Sequence, residues 1–138
     1  MLTNHFLMQS SSYEATFSAR MHEALILEMQ PQALSEVPFH HDTPCITRFT
    51  AFNFPLHLGV HQIASVNTPP PEYTEPHVHA DHHEVNLIIS EQELVYCIRL
   101  GDQVYTVTNN ACIWIPKGTV HSANLVKGNG YYIALRID

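Results

Sequence analysis

The sequence has 138 residues, 45% of them hydrophobic, which suffices for one domain with a buried core but not for two. Thirteen acidic residues against six basic ones give a net charge of -7, which repels phosphate backbones and anionic lipid and argues against a nucleic-acid partner. No apolar run reaches the roughly 18 residues of a membrane span, and the amino-terminal residues lack the basic and apolar regions of a secretory signal. We therefore expect a single-domain cytoplasmic protein that neither spans nor binds a membrane.

The first 44 residues are predicted to form an extension ahead of the main domain. Residues 11–14 have the spacing of a capping box, and four apolar residues follow at helical intervals until Pro31: Phe17, Met21, Ala24 and Leu25. This pattern favours a helix over residues 13–30, although residues 24–27 could instead form a strand. Residues 31–44 contain three prolines and have the composition of a linker. Because residues 1–44 lack ligand-spaced side chains, we expect them to cover the domain or to mediate dimerisation.

The remainder, residues 45–138, reads as short strands separated by turns. Strands are predicted over residues 45–50, 56–66, 94–100, 104–108 and 112–115, and further apolar runs cover 85–89 and 131–135. Turns are predicted at Gly101-Asp102 and Asn109-Asn110. Such a meander is typical of an antiparallel sandwich or barrel, so an all-β domain is expected.

The three cysteines, Cys45, Cys97 and Cys112, are odd in number and have no Cys-x-x-Cys spacing. They lie within apolar, strand-like segments. We expect buried, reduced thiols rather than disulfides, in agreement with a cytoplasmic location.

Four of the eleven histidines lie between residues 77 and 83. In an extended segment, His77 and His79 point to the same side of the chain. Glu84 reaches the same point only if the chain turns between them, and Ala80-Asp81 is a suitable turn. The stretch therefore predicts a metal site.

A second motif, Pro-Lys-Gly-Thr-Val-His at residues 116–121, lies between two strand-like segments. Proline and glycine suit a chain reversal that would carry His121 inward at the start of the next strand. Together with His77, His79 and Glu84, it completes a shell of three imidazoles and one carboxylate. Such a shell suits Fe, Mn, Ni, Co, Cu or Zn and leaves one or two positions for water or substrate. Glu84 could also detach to accept a proton, which makes it the predicted catalytic residue.

The two motifs resemble those of the cupin superfamily, whose first motif runs His-x-His, three or four residues, then Glu, and whose second runs Pro-x-Gly-x-x-His. The resemblance covers roughly residues 60–138 and implies a small single-domain cupin of the conserved-barrel type. The implied fold is a double-stranded β-helix, or jelly-roll barrel, with the metal inside; small cupins are commonly homodimers. The sequence departs from the family where glycines are expected, at Pro71, Glu91 and Asn110, and Asn124 corresponds to the family's closing asparagine but comes one residue early.

Other polar residues near the motifs have more than one interpretation. Asn86, two residues after Glu84, is predicted to contact water or substrate in the lumen, or else to face solvent at an edge. His82 and His83 are expected in a solvent-facing turn, and His83 becomes a ligand only if the strand register slips by one residue. Four histidines lack partners at ligand spacing and are predicted to be ordinary surface or core residues: His40, His41, His57 and His61.

The resemblance implies several possible activities, since cupins with this ligand set include dioxygenases, decarboxylases, isomerases, lyases and cyclases. Glu84 argues against the thiol dioxygenases, which have a three-histidine shell. We therefore favour a metal-dependent, dioxygenase-like oxidoreductase that uses iron or manganese and acts on a small organic acid or phenol. The alternatives are a redox-inert isomerase, cyclase or lyase with nickel or zinc, and a cupin that binds a small molecule without turnover.

Overall fold

The structure, a computed structural model, describes residues 22–138, which contain eight strands and a 3-10 turn at Leu34–Glu36. The strands are β1 (Gln30–Gln32), β2 (Ile46–Thr50), β3 (Leu58–Val66), β4 (His83–Ile89), β5 (Leu94–Leu100), β6 (Gln103–Thr108), β7 (Ala111–Ile115) and β8 (His121–Ile137). All pairings between them are antiparallel, in the order β1-β2-β3-β8-β4-β7, with the β5-β6 hairpin joined to β8. The predicted strands from residue 45 onward are confirmed.

The long strand β8 connects the two parts of the barrel. Its first half pairs with β5, and its second half lies between β3 and β4. The change of partner occurs at Gly128 and Gly130, whose φ angles are 105° and 140°. A Cβ atom at Gly128 would lie 2.0 Å from the carbonyl oxygen of Glu93, so only glycine allows the strands to approach this closely.

Side chains alternate along β4 between the interior and the outer face. Glu84, Asn86 and Ile88 are buried, whereas Val85 and Leu87 are half-buried. This alternation follows from the two-residue period of a strand. The hydrophobic core lies on the inner side and includes Leu34, Ile63, Tyr73, Ile88, Leu94, Tyr96, Ile98 and Leu125.

The amino-terminal helix prediction falls partly outside the described residues. Within them, residues 26–29 have no regular structure and Gln30–Gln32 pairs with β2, so the prediction of a helix extending to residue 30 is wrong. Pairing with β2 overrides the helical pattern, and Pro31 is tolerated because β1 is the end strand of the sheet. Leu34 and Val37 are buried, so residues 30–37 pack on the barrel.

Two smaller expectations are also corrected. His77 forms a single bridge to His121 instead of lying in a regular strand. All three cysteines are free, but Cys112 is exposed and the other two are only half-buried. Cys112 lies opposite Leu87 in the sheet, and directly opposite residues share a face, so its thiol points outward. No helix within residues 22–138 combines the length and apolarity needed to cross a membrane.

Candidate metal centre

The backbone holds the two histidine motifs together. The amide of His77 donates to the carbonyl of His121 (3.0 Å), and the amide of His121 donates to the carbonyl of His77 (2.8 Å). The amide of Gly118 donates to the carbonyl of His79 (2.8 Å), and its φ of 83° suits glycine. The Pro-x-Gly turn is therefore hydrogen-bonded to the His-x-His segment, which explains how two distant motifs meet.

The imidazoles of His77, His79 and His121 converge. One ring nitrogen from each residue lies within 4.8 Å of the other two. The ring centroids are 4.4 Å apart for His77 and His121, 4.9 Å for His77 and His79, and 5.2 Å for His79 and His121. His121 is buried and the other two are partly buried, so this group could hold a metal ion.

Hydrogen bonds set the tautomers of two of these histidines. Nδ1 of His77 donates to the carbonyl of Glu75 (2.7 Å), and Nδ1 of His121 donates to that of Thr119 (2.9 Å). A carbonyl oxygen can only accept, so each Nδ1 carries the proton and each neutral ring presents the lone pair of Nε2. The ring of His77 is further held by stacking on Phe39, at 5.1 Å and 5° between planes.

Unpartnered nitrogens provide the test of whether a metal fits. Nε2 of His79 and Nε2 of His121 are both buried, and neither has a hydrogen-bond partner among residues 22–138. Leaving buried polar atoms unpaired is unfavourable, whereas a metal ion would use both lone pairs. The residues present therefore fit a transition metal.

Glu84 lies beside this group at the start of β4, only 6% exposed. Its Oε2 is 2.8 Å from Nε2 of His121, although the two are not aligned for a hydrogen bond, and its Oε1 is 3.9 Å from Nε of Arg136. Burial acts to raise the pKa of Glu84, but His121, His79 and Arg136 together lower it below its usual value, so the side chain is a carboxylate. Glu84 is thus charged and adjacent to the histidines.

The protonation of the histidines differs within the group. Burial, together with the positive charge of Arg136, lowers the pKa of His79 to about 4, and burial also lowers the pKa of His77. Burial disfavours protonation of His121 too, but the neighbouring Glu84 carboxylate raises its pKa. His77 and His79 are therefore neutral at pH 7, as metal binding requires.

The histidine group opens onto a small cavity inside the barrel. Besides His77, Glu84 and His121, it is lined by Val37, His40, Arg48, His57, His61, Thr74, Ala123, Tyr132, Ala134 and Arg136. The centre of a water molecule can occupy about 30 Å³ of it, room for no more than a few non-hydrogen atoms. The cavity as it stands admits only a small group.

Sequence reasoning missed several of these lining residues. His40, His57 and His61 were predicted to be ordinary, yet all three line the cavity, and His61 is only 2% exposed. The spacing of His57 and His61 puts both side chains on the same face of an extended segment, and this spacing was the sequence signal that could have indicated a shared cavity. That face is lumenal because β3 pairs with β8, where His61 lies opposite Tyr132.

The other predicted candidates lie elsewhere. Asn86 is buried rather than solvent-facing, and its Oδ1 accepts from the hydroxyl of Tyr132 (2.5 Å), but it does not line the cavity. His82 contacts Asp138 (2.7 Å), and Nδ1 of His83 accepts from the amide of Lys117 (3.0 Å). His82 and His83 therefore point away from the histidine group.

Asn124 fastens the segment that precedes His77. Its Oδ1 accepts from the amides of Tyr73 (2.8 Å) and Thr74 (2.9 Å), and its Nδ2 donates to the carbonyl of Thr74 (3.1 Å). All of these groups are buried. Asn124 thereby holds residues 73 and 74 against β8, three residues before the first histidine of the site.

Comparisons with known proteins identify the fold. No protein-family model matches the chain, and no curated protein matches it. Among solved structures, KdgF from Halomonas sp. is similar with a TM-score of 0.51 and 16% identity, over 74% of this chain and 88% of that chain. A cupin 2 conserved barrel domain protein from Rhodopseudomonas palustris is similar with a TM-score of 0.52 and 15% identity, over 81% of this chain and 71% of that chain.

FeII HppE is similar with a TM-score of 0.53 and 15% identity, over 80% of this chain and 56% of that chain. At such identities the likeness concerns the fold. The chain has the cupin fold, and the prediction of an all-β jelly-roll barrel is confirmed.

Proposed function

We propose that the protein is a metal-dependent enzyme that acts on a small organic molecule inside the barrel, and that the reaction is a dioxygenase-like oxidation. The carrying observation is the pair of buried, unpartnered Nε2 atoms of His79 and His121, which converge with a nitrogen of His77. The iron in the name of FeII HppE, which has a similar fold, supports testing iron first.

In this proposal the chain's own residues hold the metal and exclude water. His77, His79 and His121 bind it, and the carbonyls of Glu75 and Thr119 keep two of the rings oriented. A bound iron or manganese ion would supply a Lewis acid and a redox centre that can bind dioxygen and an oxygen of the substrate. The cavity has room for only a few non-hydrogen atoms, so a bound metal and substrate group would displace the water inside it.

Glu84 has two possible roles at this site. It is the proposed fourth ligand, and because it is a buried carboxylate beside the histidines, it can also accept a proton from a bound substrate. The same residues with nickel or zinc would support a redox-inert isomerase, cyclase or lyase, and retained binding without product would indicate a binding protein. These alternatives are outcomes of the test that follows.

The test begins with elemental analysis of protein purified without chelator. We expect about one transition-metal ion per chain, and its loss in His77→Ala/His121→Ala, because one remaining imidazole and Glu84 hold a metal weakly. The matched control is His82→Ala, which removes a histidine of the same sequence cluster that contacts Asp138 instead of the cavity. Stoichiometric metal in the double variant would contradict the proposed site.

The reaction is then tested with an oxygen electrode on the metal-loaded protein. Small organic acids and phenols are added in turn, and we expect oxygen uptake with at least one of them. Product formation without oxygen uptake would replace the oxidative proposal by the redox-inert one.

A further inference from the structure

Arg48 places a positive charge inside the barrel. It lies on β2 and is only 3% exposed. Its Nη1 donates to Oε1 of Gln32, and its Nη2 lies 3.3 Å from Nε2 of His57. Its Nε has no hydrogen-bond partner in the described part of the chain. Gln32 is neutral, and His57 is neutral as well, because burial lowers its pKa to about 4. Within residues 22–138, Arg48 therefore has no acidic partner.

A second guanidinium lines the same cavity. Arg136 lies on β8, and its Nε is also buried, with no hydrogen-bond partner that the described residues provide. Within residues 22–138 the nearest carboxylate oxygen, Oε1 of Glu84, is 3.9 Å away, and the other oxygen of Glu84 lies 2.8 Å from Nε2 of His121. The cavity thus contains two guanidinium groups and one carboxylate.

This concentration of positive charge is unusual for so acidic a chain. The sequence has six basic residues and a net charge of -7, yet two of the six line one small cavity. Burying a charge is unfavourable unless an opposite charge and hydrogen bonds compensate it, and here the described residues leave one N–H of each arginine unsatisfied. An anion in the cavity would supply both forms of compensation.

Gly59 fixes the place of the Arg48 guanidinium. A Cβ atom at this position would lie 2.6 Å from Nη2 of Arg48 and 3.1 Å from its Nε. The guanidinium therefore lies directly against the backbone of β3, in space that only glycine leaves free. An alanine here would move the guanidinium without removing its charge.

We propose that the substrate carries a carboxylate, which the free Nε–H groups of Arg48 and Arg136 bind inside the cavity. Two donors match the two oxygens of a carboxylate. Hydrogen bonds between a guanidinium and a carboxylate are charge-assisted and therefore stronger than hydrogen bonds between neutral groups. A phosphonate or phosphate brings a third oxygen and further charge that these two donors would leave unsatisfied. This assignment rests on the proposed function insofar as the ligand is the substrate, but the binding itself does not require a metal.

The test uses the full-length, metal-free protein, with propionate and its neutral isostere propionamide as probes in calorimetry. We expect propionate to bind at least tenfold more tightly than propionamide. Arg48→Gln should weaken propionate binding at least tenfold and leave propionamide binding unchanged. The matched control is Arg99→Gln on β5, which removes the same charge from a residue that does not line the cavity and should leave both affinities unchanged.

Two further variants keep the test decisive if Arg48→Gln folds poorly. Gly59→Ala should weaken propionate binding although the charge of Arg48 remains, because the added Cβ atom displaces the guanidinium. Arg48→Lys should also weaken propionate binding, because lysine has no Nε–H group at that place. Equal affinity for propionate and propionamide, equal affinity in the Arg48 and Arg99 variants, or tighter binding of methylphosphonate would each overturn the proposal. Selective propionate binding by a protein that never retains metal would support this site and overturn the metal-dependent function.

Discussion

At the scale of single residues, His57 and His61, which line the cavity beside Arg48, are neutral at pH 7. Burial lowers the pKa of His57 to about 4 and holds the pKa of His61 well below its usual 6.5. His61 is 2% exposed, and its Nδ1 lies 3.2 Å from the hydroxyl of Tyr73, so it belongs to a buried polar chain. Protonating either ring inside the barrel is unfavourable because Arg48 is close by.

These pKa values predict how stability depends on pH. Between about pH 6.5 and pH 4, an unfolded chain binds protons on His57 and His61 that the folded chain does not bind. The free energy of unfolding of the metal-free protein should therefore be highest above about pH 6.5 and fall as the pH decreases towards 4. Denaturant titrations at a series of pH values measure this slope.

His57→Gln provides the variant for that measurement. Glutamine can still accept a hydrogen bond from Arg48 but does not titrate, so the slope between about pH 6.5 and pH 4 should become shallower. His41→Gln, at an exposed position, is the control. An unchanged slope in His57→Gln would contradict the assignment of a neutral, buried His57.

At the scale of elements, the site depends on an irregular segment that the sheet holds in place. Residues 73–79 make only isolated bridges, from Thr74 to His40 and from His77 to His121, and Asn124 of β8 supplies much of their attachment. A segment with so few ladder hydrogen bonds depends on each one. The rigidity that a metal site needs is therefore provided by β8.

Asn124→Ala should show this dependence. It leaves two buried amides and a buried carbonyl without their partner, so the free energy of unfolding should fall by about 2–4 kcal/mol. Metal affinity should fall as well, because His77 follows the released segment. The control is Asn129→Ala on the same strand, which loses only an exposed hydrogen bond to Gln92 and should change the free energy of unfolding by less than about 0.5 kcal/mol.

If Asn124→Ala is no less stable than Asn129→Ala, the hydrogen bonds of Asn124 do not hold residues 73 and 74 in place, and the prediction is wrong. Denaturant unfolding measures the stability of both variants. Elemental analysis after dialysis against a weak chelator measures their retention of metal.

At the scale of the whole molecule, the outer face of the β4-β7-β8 sheet is apolar. Ile89, Trp114 and Tyr131 are 42%, 53% and 45% exposed, and Val85 and Leu87 lie half-buried among them. Trp114 lies opposite Val85, and Tyr131 lies opposite Ile89. Covering such a patch is favourable by about 25 cal/mol for each Å² of apolar surface, so a second subunit is one way to stabilise it.

We expect a homodimer that uses this face. Leu87→Asp should shift the protein towards monomer or aggregate while the folded part keeps its metal, since Leu87 points away from the cavity. Val104→Asp is the matched control, because Val104 is 53% exposed but lies on β6. Sedimentation at tens of micromolar decides: a monomeric wild-type protein would exclude the dimer.

The sequence by itself determined the fold class, the strands from residue 45 onward and the group formed by His77, His79 and His121. The strands and turns depend on local properties, namely the two-residue period of a strand and the turn chemistry of Pro-x-Gly. The histidine group joins two motifs that are distant in the chain, and the resemblance of both motifs to those of cupins predicted that they meet. The tertiary structure decided what surrounds the group. Arg48 comes from β2, His57 from the residue just before β3, and Arg136 from β8, and they share a cavity only because β8 lies beside β3. Strand order is a long-range property that no local pattern encodes, and the same long-range pairing, of β1 with β2, overrode the helix predicted to reach residue 30.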